Sequence, residues 1–412
     1  MLKPHKRIYL DHAATTPIDM RVVEAMAPFL NKNFGNPGSL HKEGVIAKQA
    51  IAESRRSTAE MLRARPGEII FVSGGTEANN LAILGFARWL EENEYPLKKC
   101  HFITLAIEHP SVLDCFVNLQ RQGAEVSYIP VTKGGIIDLG IFKRELRDNT
   151  VFVSVMFVNN EIGTVQPVSE IAKILRHHRS ERALQEKLQK LKRNFPFFHT
   201  DACQAPLYFP VDVQKLGVDY LSFDGQKIYG PKGVGVLYIR KDAPLMPLFY
   251  GGKQERALRP GTENVPLVVG LAKALEIAEK ERPEKSKKLT QLRNYFIKEI
   301  REKIPQAELN GDTILRSPNN VNISIPGTDN EWIVLQLDAQ GIAIGTRSAC
   351  MVSGDGNAAE NSQTSYVIAA LGKNDAVARS SLRFTMGRGT SKTDIDYVVN
   401  TLLESLQRSS LD

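Results

Sequence analysis

The chain has 412 residues, enough for one large domain and a smaller one, and 42% of them are hydrophobic and 24% charged. This composition is typical of globular proteins, and it excludes a disordered chain, while the lack of any long apolar run argues against a membrane span. The net charge of +7 comes from basic residues spread along the chain, so we expect neither a membrane nor a nucleic-acid partner.

The cysteines and the first residues indicate the compartment. Four cysteines lie far apart and none belongs to a Cys-x-x-Cys motif: Cys100, Cys115, Cys203 and Cys350. This spacing argues against a bound metal or a disulfide framework and predicts a reducing compartment, the cytoplasm. Residues 1–7 are basic, but no apolar run follows them, so we do not expect a signal peptide.

The first half of the chain alternates short apolar runs with helical patterns. Helices are predicted from Asp19 to about residue 31 and over residues 41–63. Strands are predicted at residues 68–72, 101–105, 126–131 and 151–158, with helices between them at residues 76–89, 110–120 and 139–147. Apolar strands that alternate with helices predict an α/β fold with a mostly parallel sheet covered on both faces.

The middle of the chain is more helical. Residues 169–194 begin as a helix and continue as a basic run, for which we predict a solvated helix of unassigned role. Residues 265–282 and 286–303 read as helical segments, and Pro283 predicts a break between them.

The C-terminal part predicts a smaller domain of mixed type. Strands are expected at residues 320–325, 342–345 and 382–385, and helices at residues 331–340, 365–371 and 392–407. We therefore predict a large domain of residues 15–263 and a small α+β domain formed by residues 1–14 and 264–412. A mobile loop at residues 346–364 belongs to the small domain.

A lysine in a glycine-rich turn is the first candidate for chemistry. Lys227 follows the apolar run 218–223 and precedes a second apolar run at 233–239. An amine held between buried strands is poorly hydrated, so it loses its proton more readily and can form a Schiff base. Asp201 ends an earlier apolar run. Pyridoxal phosphate needs such a lysine and a carboxylate on its ring nitrogen, so this pair predicts its site.

Four further motifs carry groups suited to this cofactor and its substrate. Ser73-Gly-Gly-Thr follows a predicted strand and opens a helix, as a phosphate cup does. His109 follows another strand. Arg383 lies on a short apolar strand, where it could bind a substrate carboxylate or form a structural salt bridge. Cys350 precedes a long run of small and polar residues, which places its thiol at the root of an exposed loop.

On these motifs the chain resembles the class V aminotransferase family, and within it the cysteine desulfurases of iron–sulfur cluster assembly. The resemblance extends from about residue 8 to the C-terminal helix. It implies a fold-type I enzyme that uses pyridoxal phosphate, converts L-cysteine to L-alanine and holds the sulfur as a persulfide on Cys350. The long loop resembles that of group I members, which pass sulfur to scaffold or tRNA-thiolation proteins.

The resemblance also implies residue roles and a homodimer with shared active sites. It makes Lys227, Cys350 and His109 catalytic, with His109 stacked on the cofactor ring, and it allows a passing contact of Cys350 with an iron–sulfur cluster. The remaining implied cofactor contacts are Gly75, Thr76, Asp224 and Gln226 at the phosphate, Asn160 and Gln204 at the phenolic oxygen, Asp201 at the ring nitrogen, and Thr262 at the neighbouring subunit's phosphate. The implied substrate-carboxylate ligands are Arg383 and Asn36.

Two departures from the family pattern are visible. Where the family has Ser-Gly-His-Lys, this chain has Asp224-Gly-Gln226-Lys227. A carboxylate about 5 Å from a phosphate charge costs about 3 kcal/mol at an effective dielectric near 20. Our hypothesis is that the Asp224 side chain turns away or pairs with a cation, Arg256 or Arg259. Arg347 replaces a glycine before Ser-Ala-Cys and could favour the thiolate.

Alternatives remain open at this stage. A selenocysteine lyase would share every motif above, and another class V reaction such as transamination is disfavoured only by Cys350. A non-catalytic scaffold that kept the fold is suggested by Asp224 and Gln226. The sequence names neither the sulfur acceptor nor an activator protein.

Overall fold

The computed structural model describes residues 7–183, 195–346 and 364–409. Its strands are β1 (Ile8–Tyr9), β2 (Ile69–Val72), β3 (His101–Leu105), β4 (Glu125–Ile129), β5 (Thr150–Ser154), β6 (Phe197–Asp201), β7 (Tyr220–Asp224), β8 (Gly235–Ile239), β9 (Glu308–Leu309), β10 (Asn320–Ser324), β11 (Ile342–Ala343) and β12 (Ser381–Thr385). Its helices are α1 (Met20–Leu30), α2 (Lys42–Leu62), α3 (Gly75–Glu92), α4 (Pro110–Arg121), α5 (Leu139–Glu145), α6 (Val168–Ala183), α7 (Val213–Leu216), α8 (Val265–Lys303), α9 (Asn330–Ala339), α10 (Tyr366–Ala370), α11 (Asp375–Arg379) and α12 (Lys392–Ser409).

Within those ranges one sheet of seven strands organises the fold, in the order β2-β8-β7-β6-β5-β3-β4. The pairs from β7 to β4 are parallel, and β8 runs antiparallel to both of its neighbours. Strands β3, β5, β6, β7 and β8 are buried along their whole length, as continuous apolar runs require. The predicted α/β class with a mostly parallel sheet is confirmed.

Hydrophobic clusters occupy both faces of this sheet. One contains Phe86, Phe102 and Phe152 and packs α3 and α4 against the strands. The other contains Phe198, Leu221 and Leu271 and extends under α8 into the C-terminal part. Because both faces are covered, polar groups reach solvent mainly at the strand ends, where a site can form.

The C-terminal elements form smaller sheets around α8. Strands β12, β10 and β9 pair antiparallel, while β1 pairs with β11 in parallel. The predicted break at Pro283 is wrong, because α8 is one continuous helix with that proline inside it. The helix packs against α1, α2 and α12, and these contacts outweigh the one backbone hydrogen bond that a proline removes.

The basic segment after residue 168 is helical as far as residue 183, and residues 184–194 lie outside the described part. The prediction of a solvated helix holds for Arg176 and His177, which are exposed. It is wrong for Arg179, whose guanidinium donates to the buried Asp219 at 2.6 Å. A buried carboxylate needs a cation partner, and α6 supplies one.

Candidate active site

A cavity of about 270 Å³ lies at the carboxyl ends of the central strands. The strands whose carboxyl ends face the cavity are β2, β3, β5, β6 and β7. These strands run in the same direction, whereas β8 runs in the opposite direction. The cavity gathers ten of the predicted site residues: Gly75, Thr76, His109, Asn160, Asp201, Gln204, Asp224, Gln226, Lys227 and Arg383. Parallel strands deliver these sequence-distant residues to one edge of the sheet.

Lys227 and Asp224 form an ion pair inside the cavity. The amine Nζ donates to Asp224 Oδ2 at 3.0 Å, and the two side chains are 18% and 4% exposed. Burial lowers the pKa of the Lys227 amine, but the negative charge of Asp224 offsets this, so the pKa is raised overall. The expectation that this lysine loses its proton readily is therefore wrong for the cavity as described, because a carboxylate holds the ammonium form.

The proposed cation partners of Asp224 are also corrected. Arg259 Nε donates to Glu77 Oε1 at 3.0 Å, and Arg256 donates to the carbonyl oxygen of Gly67. Lys227 is the cation that Asp224 contacts, and Gln226 Nε2 donates to the same Oδ2 at 3.2 Å. Lys227 is only three positions from Asp224 in the sequence. The direction in which the Asp224 side chain points, however, is visible only in the structure, at the end of β7.

Asp201 ends β6 with both carboxylate oxygens occupied. Its Oδ1 accepts from the backbone N–H of Cys203 at 2.8 Å, and its Oδ2 accepts from Asn79 Nδ2 at 2.7 Å. Asn79 is buried in the first turns of α3. Sequence reasoning missed Asn79, although its position three residues after Thr76 on the same helix was a signal. These donors fix the carboxylate so that it faces the cavity in one orientation.

His109 belongs to the same hydrogen-bond chain. Its Nδ1 accepts from the Ser111 N–H at 3.1 Å, which caps α4, and lies 2.8 Å from Ser111 Oγ. Ser111 Oγ in turn accepts from Asn79 at 2.9 Å. Burial lowers the pKa of the His109 imidazole, so the ring is neutral at neutral pH. Because Nδ1 is an acceptor, the proton of this neutral ring is on Nε2.

The start of α3 provides an anion cup. Gly74 and Gly75 turn the chain from β2 into the helix, and the first backbone N–H groups of a helix lack acceptors within it. A side chain at Gly75 would come within 2.6 Å of Cys203 Sγ, so only glycine leaves the cup open. An anion cup, a lysine amine and a fixed carboxylate around one cavity fit pyridoxal phosphate.

Asn160 and Gln204, the two residues predicted to bind the phenolic oxygen of the cofactor, make different contacts in the structure. Asn160 lines the cavity, and its backbone carbonyl accepts from Arg383 at 3.2 Å. Gln204 also lines the cavity, but its Nε2 donates to the carbonyl oxygen of Ala13 at 2.9 Å. The second N–H of that amide is the one that could reach a cofactor oxygen.

Arg383 is buried, as predicted for an inward arginine, and it has an internal partner. Its guanidinium contacts Asp11 Oδ1 at 2.8 Å, and within the described ranges its buried Nε has no hydrogen-bond acceptor. Asp11 was missed, although it stands in the polar turn-rich stretch after β1. Nη1 and Nη2 each bind one acceptor and carry a second N–H, so the arginine, which lines the cavity, keeps donor capacity for a carboxylate there.

The remaining predicted residues lie elsewhere. Asn36 and Thr262 are exposed and do not line the cavity of their own chain, and Asn36 Oδ1 accepts from the N–H of Gly38. Cys350 and Arg347 lie outside the described residues. The predictions for these four positions stay predictions.

The described cysteines are poor nucleophiles. Cys100, Cys115 and Cys203 are free and buried, and burial raises the pKa of each thiol, to about 12 for the first two. A thiol with so high a pKa stays protonated and unreactive at neutral pH. Over the same ranges, no cluster of His, Cys, Asp or Glu is placed to hold a metal ion, and no helix has the length and apolarity of a membrane span.

Comparisons with known proteins agree with this geometry. The profile of the family described as Aminotransferase class-V matches residues 8–398. A protein of Dictyoglomus turgidum named cysteine desulfurase IscS is 41% identical over 403 residues, which cover 98% of this chain and 95% of that protein.

Solved structures give the same result. A protein titled NifS-like protein superimposes with a TM-score of 0.86 at 32% identity, covering 98% of this chain and 100% of that one. A structure titled SspA in complex with cysteine has a TM-score of 0.75 at 33% identity, covering 92% and 99%. The chain therefore belongs to the class V aminotransferase family.

Proposed function

We infer that this chain is a pyridoxal phosphate-dependent cysteine desulfurase. The relative named as a cysteine desulfurase spans almost the whole chain, and a related structure was solved with cysteine bound. The observation that carries the assignment is the convergence of Lys227, Asp201 and His109 on one cavity beside an anion cup. That set is the one required to hold the cofactor and to move protons next to it.

The cofactor contacts follow from this arrangement. Lys227 supplies the amine for covalent attachment, Asp201 the carboxylate for the ring nitrogen, and the N-terminus of α3 at Gly75 and Thr76 the donors for the phosphate. When bound, pyridoxal phosphate supplies an electron sink that stabilises negative charge on the substrate Cα. Asn160 and Gln204 line the cavity, and their side-chain amides would donate to the phenolic oxygen.

The protein side chains carry the proton and substrate steps. Arg383 binds the α-carboxylate of cysteine through its free guanidinium N–H, which orients the substrate. The Lys227 amine takes and returns the proton at the substrate Cα, and the neutral His109 exchanges a proton through Nε2. The neutral imidazole suits this role because it can accept a proton as well as donate one.

Cys350 receives the sulfur. Its thiolate attacks the substrate sulfur, so that an S–S bond forms while the bond from sulfur to the substrate Cβ breaks. The electron pair of the broken bond stays with the carbon, which takes a proton and becomes the methyl group of alanine. The three described cysteines are buried and protonated, which supports Cys350 as the nucleophile.

The test uses the Cys350→Ala variant. It should form no persulfide and little alanine from L-cysteine, yet keep the yellow colour of the bound cofactor, because the linkage to Lys227 does not involve the thiol. The matched control is Cys100→Ala, a buried cysteine away from the cavity, which should keep both properties. Sulfide release by Cys350→Ala at the parent rate would assign the sulfur step to another group.

A second measurement tests cofactor attachment directly. Borohydride reduction of the protein saturated with pyridoxal phosphate, followed by peptide mass spectrometry, should place the added mass on Lys227. An unmodified Lys227 would contradict the whole assignment. Competing cysteine against selenocysteine in the same preparation separates the desulfurase from a selenocysteine lyase.

We also propose a homodimer with shared sites. Most of the strongly exposed large apolar side chains occur in and after α1, among them Met20, Leu30, Phe34 and Leu40, all at least 65% exposed. Such an apolar surface favours a protein interface. The exposed Thr262 lies outside its own cavity, which suits a role at the partner's phosphate.

Mixed dimers test the shared site. Lys227→Ala and Thr262→Ala subunits should each be impaired alone, and mixing them should restore one site that combines an intact Lys227 with an intact Thr262. Light scattering should give twice the mass of the 45.8 kDa chain. A monomer, or a mixture no better than its parts, would contradict the proposal.

The destination of the sulfur is proposed from the loop after Cys350. Its small and polar residues suit a loop that reaches a scaffold or thiolation protein. We place the reaction in the cytoplasm, because the described cysteines are all unpaired. Transfer of radiolabelled sulfur from Cys350 to purified candidate acceptors would identify the partner.

A further inference from the structure

The ion pair between Lys227 and Asp224 poses a chemical requirement. The amine must be neutral to attack an aldehyde, yet Asp224 holds it as an ammonium at 3.0 Å. The family pattern has a serine at this position, which would not hold the proton. The departing proton therefore needs an acceptor that is close and has a free lone pair.

Asp201 meets this requirement less well than Asp224. Both of its oxygens already accept hydrogen bonds, from Cys203 N–H and from Asn79, and the Lys227 amine donates to Asp224. In Asp224, Oδ2 accepts from Lys227 and Gln226, whereas the buried Oδ1 has no partner among the described residues. A buried carboxylate oxygen without a donor is costly, and taking up a proton removes its charge.

The other titratable groups around the pair do not compete. Burial lowers the pKa of His109, which makes its ring a weak proton acceptor, and its Nδ1 already accepts from the Ser111 N–H. Burial raises the pKa of the Cys203 thiol, so the thiol keeps its own proton at neutral pH. Glu77, at the start of α3, is occupied by Arg259 and by the backbone N–H of Ser73. Asp224 is thus the remaining proton acceptor next to the amine.

Asp224 also adjoins the anion cup. A side-chain carbon built on Gly75 would lie 3.5 Å from Asp224 Oδ2, so the carboxylate stands at the edge of the proposed phosphate site. A phosphate there repels a carboxylate and so favours its protonated form. A carboxylic acid instead has an O–H that can donate to a phosphate oxygen.

We propose that Asp224 accepts the proton of Lys227 as the cofactor binds, which converts a carboxylate–ammonium pair into a carboxylic acid and a neutral amine. This rests on the proposed function, since it assumes attachment of pyridoxal phosphate to Lys227. The N–H bond of the ammonium breaks and an O–H bond forms on Asp224. The neutral Lys227 amine would then be able to attach the aldehyde of the cofactor, with loss of one water that takes the aldehyde oxygen and the two remaining amine hydrogens.

Asp224 would therefore have two roles. As a carboxylate, Asp224 balances the charge of Lys227. As a carboxylic acid, it takes the position and donor role of the serine hydroxyl in the family pattern. The phosphate group itself triggers the change, so a cofactor without phosphate should occupy the cavity with the Lys227–Asp224 ion pair intact and without attachment to Lys227.

The experiment compares pyridoxal phosphate with unphosphorylated pyridoxal in apoprotein freed of cofactor. Affinities are measured by absorbance titration for the parent protein, Asp224→Asn and Asp224→Ser, with Asp242→Asn, an exposed carboxylate, as the charge-matched control. Difference infrared spectra of the loaded proteins report whether a protonated carboxyl group appears. Asp224→Ser restores the family residue and serves if Asp224→Asn does not fold.

The parent protein should show a carboxylic acid band with pyridoxal phosphate but not with pyridoxal, and the band should vanish in Asp224→Asn. The affinity ratio of pyridoxal phosphate to pyridoxal should rise by about tenfold in the Asp224 variants, because no carboxylate has to be neutralised, and stay unchanged in Asp242→Asn. No band in the loaded parent protein, or an unchanged ratio, would overturn the proposal. If borohydride leaves Lys227 unmodified, the proposed function fails instead.

Discussion

The two sides of the cavity differ in how completely their polar groups are paired. On one side, Asp201, Asn79, Ser111 and His109 form a continuous chain of hydrogen bonds at 2.7–3.1 Å. On the other, Asp224 keeps an unpaired oxygen beside Lys227. Paired groups hold one geometry, whereas groups with spare capacity can change partner when a ligand arrives.

The two sides of the cavity therefore suit different roles. The paired side would fix the orientation of a bound cofactor ring, whose nitrogen we propose to meet Asp201. On the open side, the proposed attachment requires the proton and the amine of Lys227 to change partners. The Arg383–Asp11 pair resembles the open side, since Arg383 Nε is also buried without an acceptor among the described residues.

The largest effect should come from the open side. Lys227→Ala removes the amine that attaches the cofactor and moves the Cα proton, so we expect alanine formation to fall by about 10³-fold or more. The control is Lys232→Ala, an exposed lysine in the following loop, which should behave like the parent protein. The rates of alanine formation are compared by steady-state kinetics with L-cysteine. Equal rates for both variants would contradict a catalytic role for Lys227.

Disrupting the paired side should reduce activity less than Lys227→Ala does, but it should destabilise the fold more. Asn79→Ala removes one donor to Asp201 and one to Ser111, so we expect about a tenfold loss in kcat and a loss of about 1–3 kcal/mol in the free energy of unfolding. Asn93→Ala, at the exposed end of α3, is the matched control. If denaturant titration finds Asn79→Ala as stable as its control, the network does not hold the site.

A change at Asp11 tests whether substrate and protein compete for one arginine. Asp11→Asn removes the internal counter-charge of Arg383, so the guanidinium should bind the cysteine carboxylate more tightly, with KM lower by about three- to tenfold. Asp338→Asn, whose partner Arg7 is exposed, controls for loss of a surface pair. A raised KM would mean that Asp11 orients the arginine instead of competing with the substrate.

Two buried histidines of the central sheet also predict a pH effect on stability. His199 on β6 is fully buried between Ser154 and Ser222, and burial lowers its pKa to about 4. The unfolded histidine binds its proton near pH 6.5, so the folded state loses stability as the pH falls from 6.5 to 4, by about 3 kcal/mol for this residue. His101, whose pKa is also lowered to about 4, adds to the same slope.

The His199→Gln variant isolates the first contribution. Glutamine can bond to both serines without titrating, so the decline of unfolding free energy between pH 6.5 and 4 should be shallower than in the parent protein. Urea titrations at several pH values measure it. Equal slopes would show that His199 does not titrate across this interval.

Much of the architecture follows from local patterns in the chain. Apolar runs such as residues 101–105 and 218–223 predict buried parallel strands because only a doubly covered sheet buries both of their faces. The motifs around Gly75, Asp201 and Lys227 lie where these apolar runs stop, because polar residues are excluded from a strand that is covered on both faces. The short helices α7 and α11 were not predicted, since four or five residues carry too little periodicity.

Other features depend on contacts between distant residues. Pro283 predicts a break by its own chemistry, and packing along α8 overrides that preference. The partner of Asp224 depends on its charge, its burial and the direction in which β7 ends, and only the last two come from the fold. Asn79 and Asp11 were missed because an asparagine or an aspartate gains its role from the group that it meets.

The sequence by itself determined the alternating fold, the family and the chemical types of the site residues, because these depend on short-range patterns and residue identity. Only the tertiary structure decided which polar atoms are paired and which are left free. Hydrogen bonds and ion pairs are set by distance and burial, and the order of residues along the chain does not contain those quantities.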